Sequence, residues 1–272
     1  MTFERASREE LIARAKGGVR EAYFKRDKLL IQTVGAITET DKAANLLFER
    51  LREWYGVHFP ELSVGEPLKY CELVLNLDKK NPDLDELKKI IGEQKAREIA
   101  SKAGSSIGAD LTPADVDEIK LLANGIIQLY KLREKLDAYQ ATLAREVCPN
   151  LSYLVEPALA ARLISKAGGL ARLAVLPAST IQVLGAEKAL FKHLRSHTRP
   201  PKHGVIFQHP YIGNAPKKQR GKIARALATK ITIAVKADAY SKHFIAKELK
   251  EKFEARVKNI RESAQTAPAQ RV

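Results

Sequence analysis

His193 and His197 stand four residues apart in a stretch of helical character, the spacing that sets two imidazoles on one helix face where they can share a metal ion. The residues between them are Leu194, Arg195 and Ser196, so the glutamate that would act as base in a zinc hydrolase is missing, and Lys192, Arg195 and Arg199 would repel a cation. Phosphate contact, or plain surface exposure, suits these imidazoles better. Gly213 to Lys222 has the outline of a phosphate loop, but the interval to Gly221-Lys222 is too long and Ile223 stands where a Ser or Thr should hold magnesium. Gly168-Gly169 lacks a third glycine and follows a helical stretch, so it reads as a helix C-cap rather than a dinucleotide fingerprint. No Ser, Thr or Cys has a nucleophile's surroundings, and Cys71 and Cys148 have no Cys or His at ligand spacing. The expectation is a chain that binds rather than catalyses, with no catalytic residue, no metal and no cofactor of its own.

What it would bind is written in its charge. The chain has 47 Lys and Arg against 32 Asp and Glu, a net +15. Between Ala186 and Lys236 there are 12 basic residues and one acid, Glu187, so this segment holds +11 of that surplus and the rest is nearly balanced. A solvated helix face usually intersperses both signs; near-exclusion of acid points to a polyanion. Lys188, Lys192 and Arg195 recur at helical spacing, as do Lys218, Lys222 and Arg225, so two helices can each present a basic stripe. Between them runs Pro200-Pro201-Lys202-His203-Gly204, a stiff loop, with His203, Gln208, His209 and Asn214 able to stack on or hydrogen-bond to exposed bases. Folded or single-stranded RNA is recognised in that way. Duplex DNA fits the charge alone, but no helix-turn-helix, zinc finger or basic zipper is visible.

The elements that must position these groups read as helices. Apolar residues recur at helical spacing from Leu30 to Trp54, and a short helix fits 68–77. Another spans 82–103, a loop follows at 104–110, and Thr112-Pro113 supplies an N-cap and first helical residue. Beyond it Ile119, Leu122, Ile126, Leu129, Arg133, Leu136, Gln140, Leu143 and Val147 alternate steps of three and four, a coiled-coil seam. Because the 104–110 loop is short, that seam is expected to fold back antiparallel as a hairpin, and Ile119, Leu122, Ile126, Leu129, Leu136 and Leu143 to pair two chains. Further helices fit 151–169, 177–197, 217–236 and 241–263, with 203–210 extended or looped and no evident structure from Ala264. The resulting expectation is an all-α chain. It has a short N-terminal region, a long antiparallel helical coiled coil and a C-terminal helical domain, divided as 1–66, 67–150 and 151–272. Cysteine usage and the lack of an apolar leader or a bilayer-length apolar stretch favour a reduced, intracellular setting, away from membranes.

Several stretches carry a likeness to a known family: Ala100 to Gly108, Ala167-Gly168-Gly169-Leu170, Pro177 to Phe191 and Pro200 to Pro210. Over about Arg26 to Glu262 the chain resembles the Nop family, specifically the archaeal scaffold of box C/D small ribonucleoproteins. That resemblance implies an assembly in which guide RNA directs ribose 2'-O-methylation of rRNA or tRNA. A separate fibrillarin-like methyltransferase would bring the S-adenosylmethionine. This chain would be the bridge: its N-terminal part docks the methyltransferase, its coiled coil makes a homodimer, and its C-terminal Nop domain grips guide RNA with a kink-turn-binding, ribosomal-protein-like partner. Carried over residue by residue, the RNA surface comprises Gly185, Glu187, Lys188, Lys192, Arg195, Arg199, Lys202, His203, Gln208, His209, Arg220, Lys222 and Arg225. Lys192 stands where the family usually has Arg, which keeps charge but loses a bidentate fork. An archaeal source implies the cytoplasm, a eukaryotic one the nucleolus. The alternative within the family is the spliceosomal relative, which would bind a kink-turn without recruiting a methyltransferase.

Overall fold

The computed structural model describes residues 7–23, 25–196 and 198–265; side chains are described for 7–17, 25–196 and 198–263. Among the described residues the chain is all-α, with no strand. Local sequence explains most helix ends. Ahead of α1 (Arg8–Tyr23), Ser7 N donates to Glu10 Oε2 (2.9 Å) and Glu10 N to Ser7 Oγ (3.2 Å), a capping box. The long α2 (Arg26–His58) and α3 (Pro67–Asn76) follow, the latter with Pro at its first position. The expected 82–103 helix is two: Asp83 caps α4 (Leu84–Ile91), Gly92 breaks the run at φ +81°, and α5 (Glu93–Gly104) resumes. At the start of α6 (Pro113–Val147), Thr112 N donates to Asp115 Oδ2 (3.1 Å) and Asp115 N to Thr112 Oγ1 (3.3 Å). These two reciprocal bonds satisfy amides that the first turn leaves open.

Contacts group the chain into two compact units, 36–136 and 1–35 with 137–272, a partition that cuts across both long helices and differs from three consecutive segments. In the 36–136 unit Leu51, Tyr55, Phe59, Leu73, Leu87, Ile119 and Ile126 form one core. Each such side chain, taken out of water, contributes roughly 1.5–3 kcal/mol. Within this unit α2 and α6 run antiparallel: Ala109 N, ahead of α6, donates to Val57 O (2.8 Å), while Arg133 Nε meets Asp41 Oδ1 (2.5 Å). The seam residues Ile119 and Ile126 therefore share one core with Leu51 and Tyr55 of α2 and with Ala96, Ile99 and Ala103 of α5, the helix that precedes the 104–110 loop. α4 and α5, with 8 and 12 residues, cannot run along the 35 of α6, whereas α2 has 33. Ile119 and Ile126 are buried here, Leu143 is buried in the core of the other unit, and Leu122, Leu129 and Leu136 are half-buried. The heptad spacing was legible in sequence; whether its partner was the same chain or another was not.

In the other unit α7 (Pro149–Val155), α9 (Leu170–Val175), α10 (Ala178–Val183) and α14 (Ala246–Gln265) pack against α13 (Lys217–Lys236), and α8 (Pro157–Ala167) packs on α7 and α9. Gly168 takes a left-handed φ of +82° at the C-cap of α8, as its sequence context predicted. The expected 177–197 helix divides into α10 and α11 (Glu187–Ser196), and 203–210 holds a 3-10 turn (Val205–Gln208) leading into α12 (Pro210–Gly213). A π-turn (Ala237–Ser241) joins α13 towards α14. Its buried Asp238 accepts from Asn150 N (3.0 Å), Asn150 Nδ2 (2.8 Å) and Leu151 N (2.9 Å), while Asn150 Oδ1 accepts from Ile245 N (2.7 Å). These bonds lock the start of α7 to the α13–α14 connection. No described helix is long and apolar enough to cross a membrane.

Candidate nucleic-acid interface

The site begins with two loops laced together by their backbones. Gly204 N donates to Gln182 O (2.8 Å), Val205 N to Leu184 O (2.8 Å), and Gln182 Nε2 to Lys202 O (2.7 Å). So close an approach leaves no room for side chains at the crossing. A Cβ on Gly204 would lie 2.0 Å from Leu184 O, and one on Gly185, at φ +86°, 2.3 Å from Val205 Cγ2. Glu187, the lone acid of the basic segment, accepts from Gly185 N (2.6 Å). Backbone N–H donors, its own first and then that of Gly185, hold its carboxyl below the usual glutamate range. Gly185 and Glu187, both expected on the RNA surface, thus shape the loop on which the cations stand.

The lacing delivers those cations to one place. Arg199 and Lys202 from the 199–202 loop and Lys218, Lys222 and Arg225 from α13 border a pocket of about 430 Å³, together with Gln182, Pro200, Pro201 and Gly221. No carboxylate of the described residues lines it, and none of these five cations is in a described ion pair. Like charges gathered without counter-charge repel one another, an unfavourable arrangement that a bound polyanion relieves. Lys188, Lys192 and Arg195 are exposed along α11, none of whose ten residues is buried. Between them Phe191 and Leu194 are each 64% exposed, an apolar face unusual on a charged helix.

Comparison with known proteins places this architecture. Residues 36–259 match the Nop family, described as a snoRNA binding domain, fibrillarin. The chain belongs to the Nop family. It is 50% identical over 239 residues to an uncharacterized NOP5 family protein of Methanocaldococcus jannaschii, covering 87% of this chain and 58% of that one. Against nucleolar protein 58 of Botryotinia fuckeliana it is 39% identical over 220 residues, covering 80% of this chain and 39% of that one. Against human nucleolar protein 56 it is 38% identical over 222 residues, covering 79% and 37%. The chain thus spans a little over half of the first relative and about two-fifths of the others. A crystal structure titled fibrillarin/Nop5p complex aligns with a TM-score of 0.50 at 25% identity, over 93% of this chain and 77% of that chain.

Not every residue expected on the RNA surface of this Nop chain is free to reach a ligand. His209 is 7% exposed; its Nδ1 accepts from Tyr211 N (3.4 Å) at the start of α12, and its ring stacks on Tyr211 (centroids 5.7 Å apart). Burial keeps that imidazole below its ordinary pKa, so it serves as a neutral cap rather than a platform for bases. Arg220 donates from Nε to Ala215 O (2.8 Å) and from Nη2 to Gly213 O (3.2 Å) and lies over the Phe207 ring (5.2 Å), holding the 213–215 turn in place. His203 is half-buried and stacked on Phe207 (4.5 Å); burial first, then the nearby Arg220 charge, lower its pKa. Gln208 is exposed and accepts from Arg162 Nη1 (2.6 Å). His193 Nδ1 pairs with Thr198 O, and His197 lies outside the described residues. Among the described residues no three His, Cys, Asp or Glu gather as a metal site. Burial pushes the Cys71 and Cys148 thiols up to about 12. The sequence reading missed Gln182, whose role arises from a backbone crossing that has no signature in linear spacing.

Proposed function

We propose that this Nop chain is a non-catalytic scaffold of a box C/D guide ribonucleoprotein, holding guide RNA while a partner methylates ribose 2'-hydroxyls. The observation that carries the reading is the carboxylate-free pocket of five cations at the laced loops and α13. It is supported by membership of a family described by snoRNA binding and by likeness to a chain crystallised with fibrillarin. In this reading S-adenosylmethionine belongs to a fibrillarin-like partner. α11 faces both RNA and a kink-turn-binding protein, its cations meeting phosphates and its exposed Phe191 and Leu194 meeting protein. Two copies pair through the outward side of α6, where Leu121 and Leu132 are 65% and 46% exposed and, eleven residues apart, share one stripe. In an archaeal cell such a particle works in the cytoplasm, in a eukaryotic one in the nucleolus.

The test is reconstitution of ribose methylation from guide RNA, kink-turn protein, methyltransferase and this chain, omitting one component at a time. Methylation is expected only when all are present. Methyl transfer by the chain alone, or undiminished transfer without it, contradicts the scaffold reading.

A further inference from the structure

The basic groove does not end at the laced loops. Lys222 and Arg225 also border a second pocket, of about 270 Å³, completed by Arg256, Asn259, Ile260 and Ser263 of α14. Those four positions, spaced i, i+3, i+4 and i+7, fall on one face of the helix. α14 is otherwise mixed in sign, with Glu248, Glu251, Glu254 and Glu262 among its basic residues, yet none of these carboxylates lines the pocket. Sorting charge in this way along one helix is not what solvation alone requires.

The two pockets differ in chemistry. The first offers five cations and an amide that gives one N–H to Lys202 O. The second offers three cations beside an exposed amide and a hydroxyl; Ser263 Oγ donates to Asn259 O (2.7 Å) and keeps its lone pairs to accept. Cations read phosphate, which DNA and RNA share, whereas a ribose 2'-hydroxyl needs partners that both donate and accept. From Lys218 to Arg225, as from Arg256 to Ser263, a helix advances about 10 Å, roughly the rise of three stacked nucleotides in a strand.

Building on the RNA-holding reading above, we propose that α14 is the second wall of the RNA groove. Arg256 contacts a backbone phosphate, and Asn259 with Ser263 contacts an adjacent ribose 2'-hydroxyl. This helix, rather than the loop pocket, gives the chain its preference for RNA over DNA.

The experiment measures binding of the full chain to a hairpin RNA with an asymmetric internal loop, and to DNA of the same sequence, across a salt series. Three variants are compared: Arg256→Glu, the double Asn259→Ala/Ser263→Ala, and the double Lys202→Glu/Lys218→Glu. Arg256→Glu is expected to weaken RNA binding about tenfold and flatten the salt dependence by about one phosphate contact. The double alanine variant should lose about fivefold for RNA and nothing for DNA, the effect of a hydrogen bond or two. All the altered side chains are exposed, so unfolding midpoints near that of the wild type identify a folded control. If both α14 variants bind RNA as the wild type does while Lys202→Glu/Lys218→Glu does not, α14 is no wall of the groove and the RNA-holding reading stands. If Lys202→Glu/Lys218→Glu also binds normally, both fall. Equal losses for RNA and DNA in the double alanine variant overturn the ribose assignment.

Discussion

At the scale of single residues, two glycines and one histidine show how local constraint builds the site. Gly185 has a left-handed φ and Gly204 sits against a carbonyl, so a methyl group at either position collides with the facing loop. Gly185→Ala is expected to destabilise by about 1–3 kcal/mol through backbone strain and steric overlap. Urea unfolding checks this, and an unshifted midpoint contradicts it. His209 makes a pH prediction. Its folded pKa lies below the ordinary 6.5 because burial disfavours the charged ring, and His203 is shifted the same way. The unfolded chain therefore takes up protons first. Stability should be full above about pH 6.5 and decline as pH falls towards the depressed folded values, before the carboxylates titrate. Thermal unfolding between pH 7 and 5 tests it with His209→Asn as the comparison, that variant losing less stability over the interval; parallel losses would show that His209 is not the group responsible.

At the scale of elements, the outward and inward sides of α6 are predicted to behave differently. Ile126→Asp places a carboxylate in the core of the 36–136 unit and should unfold it, because a buried unpaired charge costs several kcal/mol. Leu121→Asp with Leu132→Asp alters only exposed side chains and should leave the helix content intact while converting the proposed dimer to monomer in sedimentation. A dimer that survives the second pair places the contact elsewhere. Much of this level was legible in sequence. Lys217–Lys236 is a helix with the expected ends, Thr112 and Pro113 open α6, and Gly168 closes α8. The capping box of Ser7 and Glu10 was equally legible in the Ser-x-x-Glu spacing. Breaks at Gly92, Glu156 and Gly185 were harder to see, since each depends on one positive φ inside an otherwise helical pattern. The Asn150–Asp238 lock and the π-turn that carries it join residues 88 positions apart, which periodicity cannot connect. As for the site, the basic stripes were evident from charge spacing. What sequence could not tell was that His209 and Arg220 turn to the protein itself, because the same residue types serve capping and ligand contact equally well.

At the scale of the whole molecule, charge is distributed by role. The 186–236 segment carries +11 of the net +15, and five of its exposed members, Arg199, Lys202, Lys218, Lys222 and Arg225, gather at pockets without carboxylates, while Lys188, Lys192 and Arg195 stand exposed along α11. Surface ion pairs occur elsewhere, as in Arg97–Glu93 and Lys102–Glu98 along α5. Such exposed pairs contribute little to stability, about 0–1 kcal/mol each, so their absence among the described residues of the basic face costs the fold little and leaves those cations available. The most direct measurement is the salt dependence of guide RNA binding by the wild-type chain and by a Lys218→Glu/Lys222→Glu/Arg225→Glu variant. The five cations at the first pocket alone should contribute about −4 to the slope of log affinity against log salt, and the variant should lose most of that contribution. A wild-type affinity indifferent to salt, or a variant that retains both affinity and slope, would contradict the claim that this groove holds RNA.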